Sequence, residues 1–254
     1  MPRSSLPRPD LPRPRAMRGD AAAAVGPPGS RQISLSVIIV VDGDADRLGA
    51  CLDALATAPR RGIEPEVLVI DADDSPAVRE VAEAAGARVV PATGSRGARF
   101  GSGAKAATGE WLLLLRSGTV LERGWDATLV VFAHEERNRE RGAVYSYRAA
   151  SDDPAARWIE RAVRFRNRWL GLPSGAQGLV IRRRFLAHLG GVPDLDRGED
   201  LVLARRLGLG RLALFDVAAQ VRPAVGPWPT CAGALRLVLF GLRIPPRWLQ
   251  RLGD

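Results

Sequence analysis

Glu110-Trp-Leu-Leu-Leu-Leu115 is the stretch of sequence that decides the fold. Its five consecutive apolar residues leave no polar face, which is typical of a parallel strand buried between two layers of helices. Similar strands precede it at Ile33 to Val41 and at Glu66 to Asp71, and each is followed by a segment of helical character. The alternation predicts an α/β fold with a mostly parallel, open sheet flanked by helices.

The rest of the chain supplies further elements. We expect helices at residues 76–85, 97–108, 158–169 and 183–189, short strands at 87–90 and 177–181, and a loop at 170–175. Ligands of an open α/β sheet bind at the carboxyl ends of its strands. Those ends carry Asp42, Asp71 and the run Arg116-Ser117-Gly118-Thr119.

Composition divides the chain into a single domain with two flanking segments. Residues 1–32 interleave prolines and arginines, which predicts a disordered arm. Residues 33–222 hold the α/β domain, and residues 223–254 form a predicted C-terminal helical extension. Its apolar stretch, Leu235 to Ile244, is too short to span a bilayer. We expect it to pack on the core, with an interfacial membrane helix as the alternative.

Charge and cysteine usage limit the possible functions. The formal net charge of the 254 residues is +9, which favours anionic partners such as phosphorylated substrates or anionic lipid. Nucleic acid is not expected as a partner, because no zinc-finger spacing and no RNP-type segment is present. Cys51 and Cys231 lie far apart and His134 and His188 are isolated. This predicts a reducing compartment without a zinc site, and therefore a cytoplasmic location, with the inner face of the membrane as an alternative.

The segment from Gly97 to Lys105 is similar to a phosphate-binding loop but does not match one. That loop requires glycine directly before lysine and serine or threonine directly after it, whereas Ala104 and Ala106 flank Lys105. Small residues that allow close packing between helix and sheet explain these glycines better.

Several acidic residues are candidates for a site, each with a structural alternative. Glu199 and Asp200 open an Arg- and Leu-rich helix, where a carboxylate can act as a general base or can simply complement the helix dipole. Asp71 could accept a hydrogen bond from a nucleotide base, or it or Asp73 could begin the next helix. Gln177 could line the cleft or pack in the core.

In their order and spacing, seven segments of the chain resemble family 2 glycosyltransferases of GT-A fold. The resemblance is closest to a bacterial subgroup often encoded beside radical-SAM and selenium-related genes, and it runs from about Ile33 to the C-terminus. The segments are SVII at 36–39, LVID at 68–71, AATGEWLLLL at 106–115, RGWD at 123–126, GLPSGAQGLVIRR at 171–183, LGGVP at 189–193 and GED at 198–200.

The resemblance implies transfer of a sugar from a nucleotide-sugar donor to an unknown acceptor hydroxyl, with inversion. Asp71, Asp73 and Gln177 would bind the donor. Asp200 would be the base, and Glu199 would position or contact the acceptor. The family also implies a divalent metal, Mg²⁺ or Mn²⁺, held by an acid at the end of the fourth strand.

The chain departs from the family at that acid. Where the family has His-Ala-Asp-Thr, this chain has Arg116-Ser117-Gly118-Thr119, and Gly118 cannot ligate a metal through a side chain. The family's Gly-Asp-Gln is Gly175-Ala176-Gln177 here, and its Asn-Glu after the first strand is Gly43-Asp44. A departing diphosphate still needs positive charge, which Arg99 or Arg116 could supply because guanidinium binds phosphate bidentately.

Three interpretations follow from the sequence. The first is a divergent glycosyltransferase in which arginine replaces the metal. The second is a catalytically eroded GT-A-fold binding or scaffold protein. The third is a basic peripheral protein that contacts a membrane surface through its arm and C-terminal segment. We favour the first.

Overall fold

The computed structural model describes residues 16–17, 32–41, 45–56, 63–151 and 153–221. The strands are β1 (Ala16–Met17), β2 (Ile33–Val40), β3 (Ile63–Asp71), β4 (Arg88–Pro91), β5 (Trp111–Arg116), β6 (Thr119–Leu121), β7 (Gly142–Ala149), β8 (Leu179–Arg182) and β9 (Leu212–Val221). The α-helices are α1 (Ala45–Ala56), α2 (Pro76–Ala84), α3 (Arg96–Ala106), α4 (Trp125–His134), α5 (Pro154–Leu170), α6 (Arg183–His188) and α7 (Glu199–Leu207). Three short 3₁₀ helices are η1 (Glu136–Asn138), η2 (Gly175–Gln177) and η3 (Leu209–Arg211).

These strands form one sheet in the order β1-β9-β7-β8-β5-β2-β3-β4, with β6 paired to β9. The strands β5, β2, β3 and β4 pair in parallel, as do β1 with β9 and β7 with β9. Only β8, between β5 and β7, and β6, against β9, pair antiparallel in the described residues. The predicted α/β class and its mostly parallel sheet are therefore confirmed.

The strand β5 is buried on both faces. Trp111, Leu113 and Leu115 point into one apolar cluster, while Leu112 and Leu114 point into the cluster on the opposite side of the sheet. Helices cover both faces, with α1 and α2 contributing to the first cluster and α3, α6 and α7 to the second. This arrangement is the physical reason for the uninterrupted apolar run that the sequence shows.

Two of the three glycines of α3, Gly97 and Gly103, serve close packing, whereas a Cβ added to Gly101 would meet nothing within 4 Å. A Cβ added to Gly103 would lie 2.4 Å from Cγ2 of Ile38 on β2, so that only glycine permits this approach of helix to sheet. At the start of the helix, a Cβ on Gly97 would lie 1.8 Å from the carbonyl oxygen of Pro193. Both positions exclude a side chain through close contacts.

The predicted strand at 177–181 begins too early. Residues 175–177 form η2, and β8 starts at Leu179. The cause is a capping box, in which Ser174 and Gln177 each bond the other's backbone, so that the chain turns before the strand begins. The strands β6, β7 and β9 were not predicted from the sequence.

The segments that flank the domain are described only in part. Ala16 and Met17, within the predicted arm, pair in parallel with Leu214 and Phe215 of β9. The predicted C-terminal helix lies outside the described residues. No helix in the described ranges is both long and apolar enough to cross a membrane.

Candidate functional site

The carboxyl ends of β2, β3 and β5 lie at one edge of the sheet. Val40 pairs with Ile70 on one side and with Arg116 on the other. The Val41 amide donates to the Ile70 carbonyl, and the Ser117 amide donates to the Val40 carbonyl, both at 3.0 Å. Asp71 and the Arg116 run therefore open on the same edge, which we call the carboxyl edge.

Asp71 is buried, and both of its carboxylate oxygens accept backbone hydrogen bonds. The amide of Ser75 donates to Oδ2 at 2.8 Å, and the amide of Asp73 donates to Oδ1 at 3.3 Å. These bonds shape the turn between β3 and α2, in which Asp73 and Asp74 are exposed. The helix α2 itself begins at Pro76 with Ser75 as its N-cap, and the contact of Asp71 with a donor stays a prediction.

Gly118 borders open space on the carboxyl edge. The nearest atom to a Cβ added there is Cδ of Arg47 on α1, at 4.0 Å. Arg47 was not predicted for the site, because nothing in the α1 sequence distinguishes it from an ordinary exposed helix residue. An arginine stem thus borders the position that holds a metal-binding acid in the family.

The residues present at this position do not fit a divalent metal. Arg116, Ser117 and Gly118 offer no carboxylate, and a guanidinium nearby repels a cation. Within the described parts of the chain, no three His, Cys, Asp or Glu side chains lie close enough to hold one. Asp42 and Asp44, which follow β2, lie outside those parts.

Arg99 reaches the carboxyl edge from α3. Its Nη1 donates to the carbonyl oxygen of Val41 at 2.8 Å, just beyond the end of β2. The helix begins nearby, where Ser95 caps it by accepting the amide N–H of Ala98 at 3.1 Å. The N-terminus of a helix and a guanidinium thus lie beside the same strand end, and both favour an anion.

Asp200 is attached to the same edge by a backbone contact. The Gly175 amide of η2 donates to its Oδ2 at 2.6 Å, and the Leu201 amide donates to its Oδ1 at 2.9 Å. The hydroxyl of Thr119 at the start of β6 in turn donates to the Ala176 carbonyl at 2.9 Å. These bonds connect α7, η2 and the end of the Arg116 run.

Glu199 pairs with Arg96, an arginine that was not predicted for the site. The guanidinium of Arg96 donates from Nε and Nη2 to the two Glu199 oxygens, at 2.6 and 3.0 Å. The Glu199 side chain is only 5% exposed. Burial raises the pKa of Glu199, and the hydrogen bonds from Arg96 oppose that rise.

Arg166 on α5 is a second cation that the sequence analysis missed. Its Nε donates to the Leu172 carbonyl at 2.8 Å, in the loop that leads to η2. Burial lowers the pKa of Arg166, while the nearby negative charge of Asp200 and the Tyr147 hydroxyl oppose that change. The negative charge of Asp200 therefore lies close enough to Arg166 to stabilise its charged form.

Gln177 is fully buried and has both ends of its amide engaged. Its Nε2 donates to the Tyr145 carbonyl at 2.6 Å, and its Oε1 accepts the Ser174 amide at 2.7 Å. The side chain fixes η2 between β7 and β8. Gln177 thus holds the turn that carries Gly175, and the structure gives it no exposed surface.

The carboxyl edge therefore brings together residues from six separate segments. They are Asp71 at the end of β3, Arg116 at the end of β5, Arg99 on α3, Arg47 on α1, Gly175 in η2 and Asp200 on α7. A carboxylate held by backbone amides stands here with several guanidinium groups. Such a set can bind a phosphorylated ligand and accept a proton from a hydroxyl.

Comparisons with known proteins give a consistent result for the fold. A mannosyl-3-phosphoglycerate synthase from Rubrobacter xylanophilus superposes with a TM-score of 0.59 at 18% identity, over 87% of this chain and 76% of its own. A glucosyl-3-phosphoglycerate synthase from Mycobacterium tuberculosis, solved with Mn²⁺, UDP and glucosyl-3-phosphoglycerate, superposes with a TM-score of 0.59 at 18% identity. The match covers 84% of this chain and 81% of the synthase. The same synthase solved with Mg²⁺ and UDP gives a TM-score of 0.56 at 19% identity, over 84% of this chain and 80% of the synthase.

No family model matches the chain, and no curated protein sequence matches it significantly. At this level of identity the structural likeness concerns the fold alone. The chain has a GT-A-like fold, which it shares with these synthases.

Proposed function

We propose that the protein is a glycosyltransferase that moves a sugar from a nucleotide-sugar donor to an acceptor hydroxyl, with inversion. Family 2, and the subgroup often encoded beside radical-SAM genes, belong to this proposal and rest on the seven sequence segments. Asp200 is the base in this proposal. Asp71 and Asp73 border the nucleotide, and Arg99 and Arg116 bind the diphosphate.

The observation that carries the proposal is the hydrogen bond from the Gly175 amide to Asp200. It fixes a carboxylate from α7 beside the ends of the parallel strands, where ligands of such sheets bind. The second oxygen is fixed by the Leu201 amide, so that the carboxylate is oriented before any acceptor arrives. An oriented carboxylate with further lone pairs can accept the proton of an acceptor hydroxyl.

Arginine supplies the charge that a metal would otherwise provide. Nucleotide departure leaves a diphosphate whose negative charge grows in the transition state. Arg99 and Arg116 lie at neighbouring strand ends, and Arg47 borders Gly118. Guanidinium groups suit this task, because each can donate two parallel hydrogen bonds to a phosphate. In this proposal the protein binds its donor without a metal ion.

Glu199 and Gln177 act as positioning residues. Glu199 is held by Arg96 on α3, so that the pair joins the start of α7 to the helix that carries Arg99. Gln177 holds η2, and η2 holds Asp200. The two side chains therefore orient the base and the cationic edge relative to each other.

A second candidate function is a catalytically eroded binding protein. It is favoured by the engagement of Asp71, whose two oxygens both accept backbone amides in its own turn. It is also favoured by the absence of a carboxylate at Gly118 and Ala176. Such a protein keeps the fold and the turn but binds no nucleotide sugar.

Calorimetric titration with UDP-, GDP- and dTDP-sugars, with EDTA or with Mn²⁺, separates the two candidates. We expect one donor to bind in EDTA, and Arg116→Ala to weaken it by about tenfold or more, because a charge-assisted bond contributes about 1.5–3 kcal/mol. The exposed Arg184 on α6 provides the control, since Arg184→Ala removes the same charge away from the edge. Binding of no donor under either condition would establish the eroded alternative.

Turnover tests the base separately from donor binding. Asp200→Asn keeps the shape of the side chain but removes proton acceptance, so we expect turnover to fall by roughly 10²- to 10⁴-fold. Donor affinity should change little. Activity that depends on Mn²⁺ in the unmodified protein would contradict the arginine assignment, and unchanged turnover in the variant would remove Asp200 from the mechanism.

A further inference from the structure

The helix α5 exposes large apolar side chains on the side that faces away from the core. Trp158 is 63% exposed and Phe165 is 61% exposed. Among the large apolar residues that the structure describes, only Val131 on α4 joins them as exposed, at 42%. Burying an indole and a phenyl ring removes considerable apolar area from water, and an exposed apolar surface of this kind is typical of an interaction site.

The spacing of these rings defines a continuous surface. Trp158 and Phe165 are seven residues apart, which places them two turns apart on the same side of the helix. The opposite side packs inward through Ala156, Val163 and Asn167, which are all buried. We call the surface of Trp158 and Phe165, with its flanking arginines, the α5 outer face.

The flanks of the α5 outer face are cationic. Arg157, Arg161 and Arg164 are exposed and follow one side of the aromatic stripe. The helix contains five arginines and a single acid, Glu160. Glu160 is engaged with the backbone, because it accepts the Ala149 amide N–H at 2.7 Å.

This charge pattern distinguishes between possible occupants. A second copy of α5 would bring arginines against arginines. The C-terminal segment beyond residue 222 is also basic, with Arg236, Arg243, Arg247 and Arg251 against the single acid Asp254. An anionic lipid surface, in contrast, complements the arginines and accepts aromatic rings at the level of its headgroups.

We propose that the α5 outer face docks on an anionic lipid bilayer. The rings of Trp158 and Phe165 enter the interface, and the arginines contact lipid phosphates and carboxylates. The helix lies in the plane of the interface and does not cross it. This inference does not depend on sugar transfer and holds equally for an eroded binding protein.

Vesicle binding tests the proposal with the full-length chain. The protein is mixed with phosphatidylcholine vesicles with and without phosphatidylserine, and bound protein is measured after sedimentation. We expect binding only with phosphatidylserine, and we expect it to weaken with added salt. Trp158→Ser should lower the partition coefficient about tenfold or more, and Arg161→Gln about fivefold.

Matched variants away from α5 provide the controls. Val131→Ser removes an exposed apolar side chain from α4, and Arg184→Gln removes an exposed charge from α6. Neither should change vesicle binding. Because the α5 positions are exposed, all four variants should keep the thermal midpoint of the parent protein, which confirms that they fold.

Three results would overturn the proposal. One is phosphatidylserine binding that survives Trp158→Ser and Arg161→Gln but is lost in Phe240→Ser, which would assign the contact to the C-terminal segment. Another is a protein that binds no vesicles but forms a dimer in solution, which Trp158→Ser dissociates. The third is equal loss of binding in the α5 variants and in their matched controls, which would indicate unspecific attraction of a basic protein.

Discussion

Replacing Gly97 by alanine should separate α3 from the loop that leads to α7. The added Cβ would lie 1.8 Å from the Pro193 carbonyl oxygen and 2.9 Å from the Leu195 nitrogen, whereas ordinary contact begins near 3.4 Å. Both contacts are with backbone, so the loop must retreat by about 1.6 Å. The retreat also breaks the hydrogen bond from the Gly97 amide to the Leu195 carbonyl, which is 3.0 Å long.

The cost in stability follows from these contacts. Overpacking costs about 1–3 kcal/mol and the lost hydrogen bond about 1 kcal/mol, while helix propensity returns up to about 1 kcal/mol. We expect the free energy of unfolding to fall by roughly 1–3 kcal/mol. Gly101 on the same helix is the matched control, because its added Cβ meets nothing within 4 Å. There, alanine should raise stability by about 0.5–1 kcal/mol.

Thermal unfolding of the two variants measures this difference. At about 2–4 °C per kcal/mol for a domain of this size, their midpoints should differ by roughly 3–16 °C. Turnover should fall only for Gly97→Ala, because the displaced loop leads into α7, which carries Glu199 and Asp200. A Gly97→Ala protein as stable as its parent, or a Gly101→Ala protein equally destabilised, would refute the argument from close packing.

Three further predictions concern the buried acid, the buried thiol and the arm. Because burial raises the pKa of Glu199 above 4.5, the folded chain keeps this proton to higher pH than the unfolded chain. The free energy of unfolding of the parent protein, relative to that of Glu199→Gln, should therefore fall as pH rises through the folded pKa. A constant difference between the denaturation midpoints of the two proteins from about pH 4 to 8 would contradict this. Burial raises the pKa of Cys51 to about 12. A thiol reagent at about pH 8 should therefore label Cys51 only after the protein unfolds, which peptide mass spectrometry detects. Labelling of Cys51 in the folded protein would disprove this prediction. A chain that starts at Ser30 should unfold within about 4 °C of the full chain, and a larger drop would show that the arm packs, for instance through Ala16 and Met17.

The parts of the fold that sequence reasoning predicted are those with a local signal. The strand β5 is visible because its burial on both faces requires an uninterrupted apolar run. The glycines of α3 were assigned to packing because Ala104 breaks the phosphate-loop pattern. The structure confirms this at Gly103, where an added Cβ would lie only 2.4 Å from Cγ2 of Ile38. The common edge of Asp71 and Arg116 followed from the rule that parallel strands end together.

The parts that it missed depend on contacts between distant residues. Arg96 and Glu199 are 103 residues apart, and nothing near either residue in sequence indicates the pair. Arg47 and Arg166 look like ordinary helix arginines until the fold brings them to Gly118 and Asp200. The turn η2 had a local signal in Ser174 and Gln177, three residues apart, which the short apolar strand after it obscured.

The position of β9 in the sheet has a consequence for how the chain folds during synthesis. This strand, the last one described, pairs with β1, β6 and β7, which are all translated earlier. Those three strands cannot pair with β9 until residues 212–221 have been translated, and η2 lies beside them. In contrast, β2, β3, β4 and β5 can pair with one another soon after translation. We therefore expect the half that carries Arg116 and Asp71 to form first and the half that holds Asp200 to join it last, since such distant pairing closes long loops and is slow.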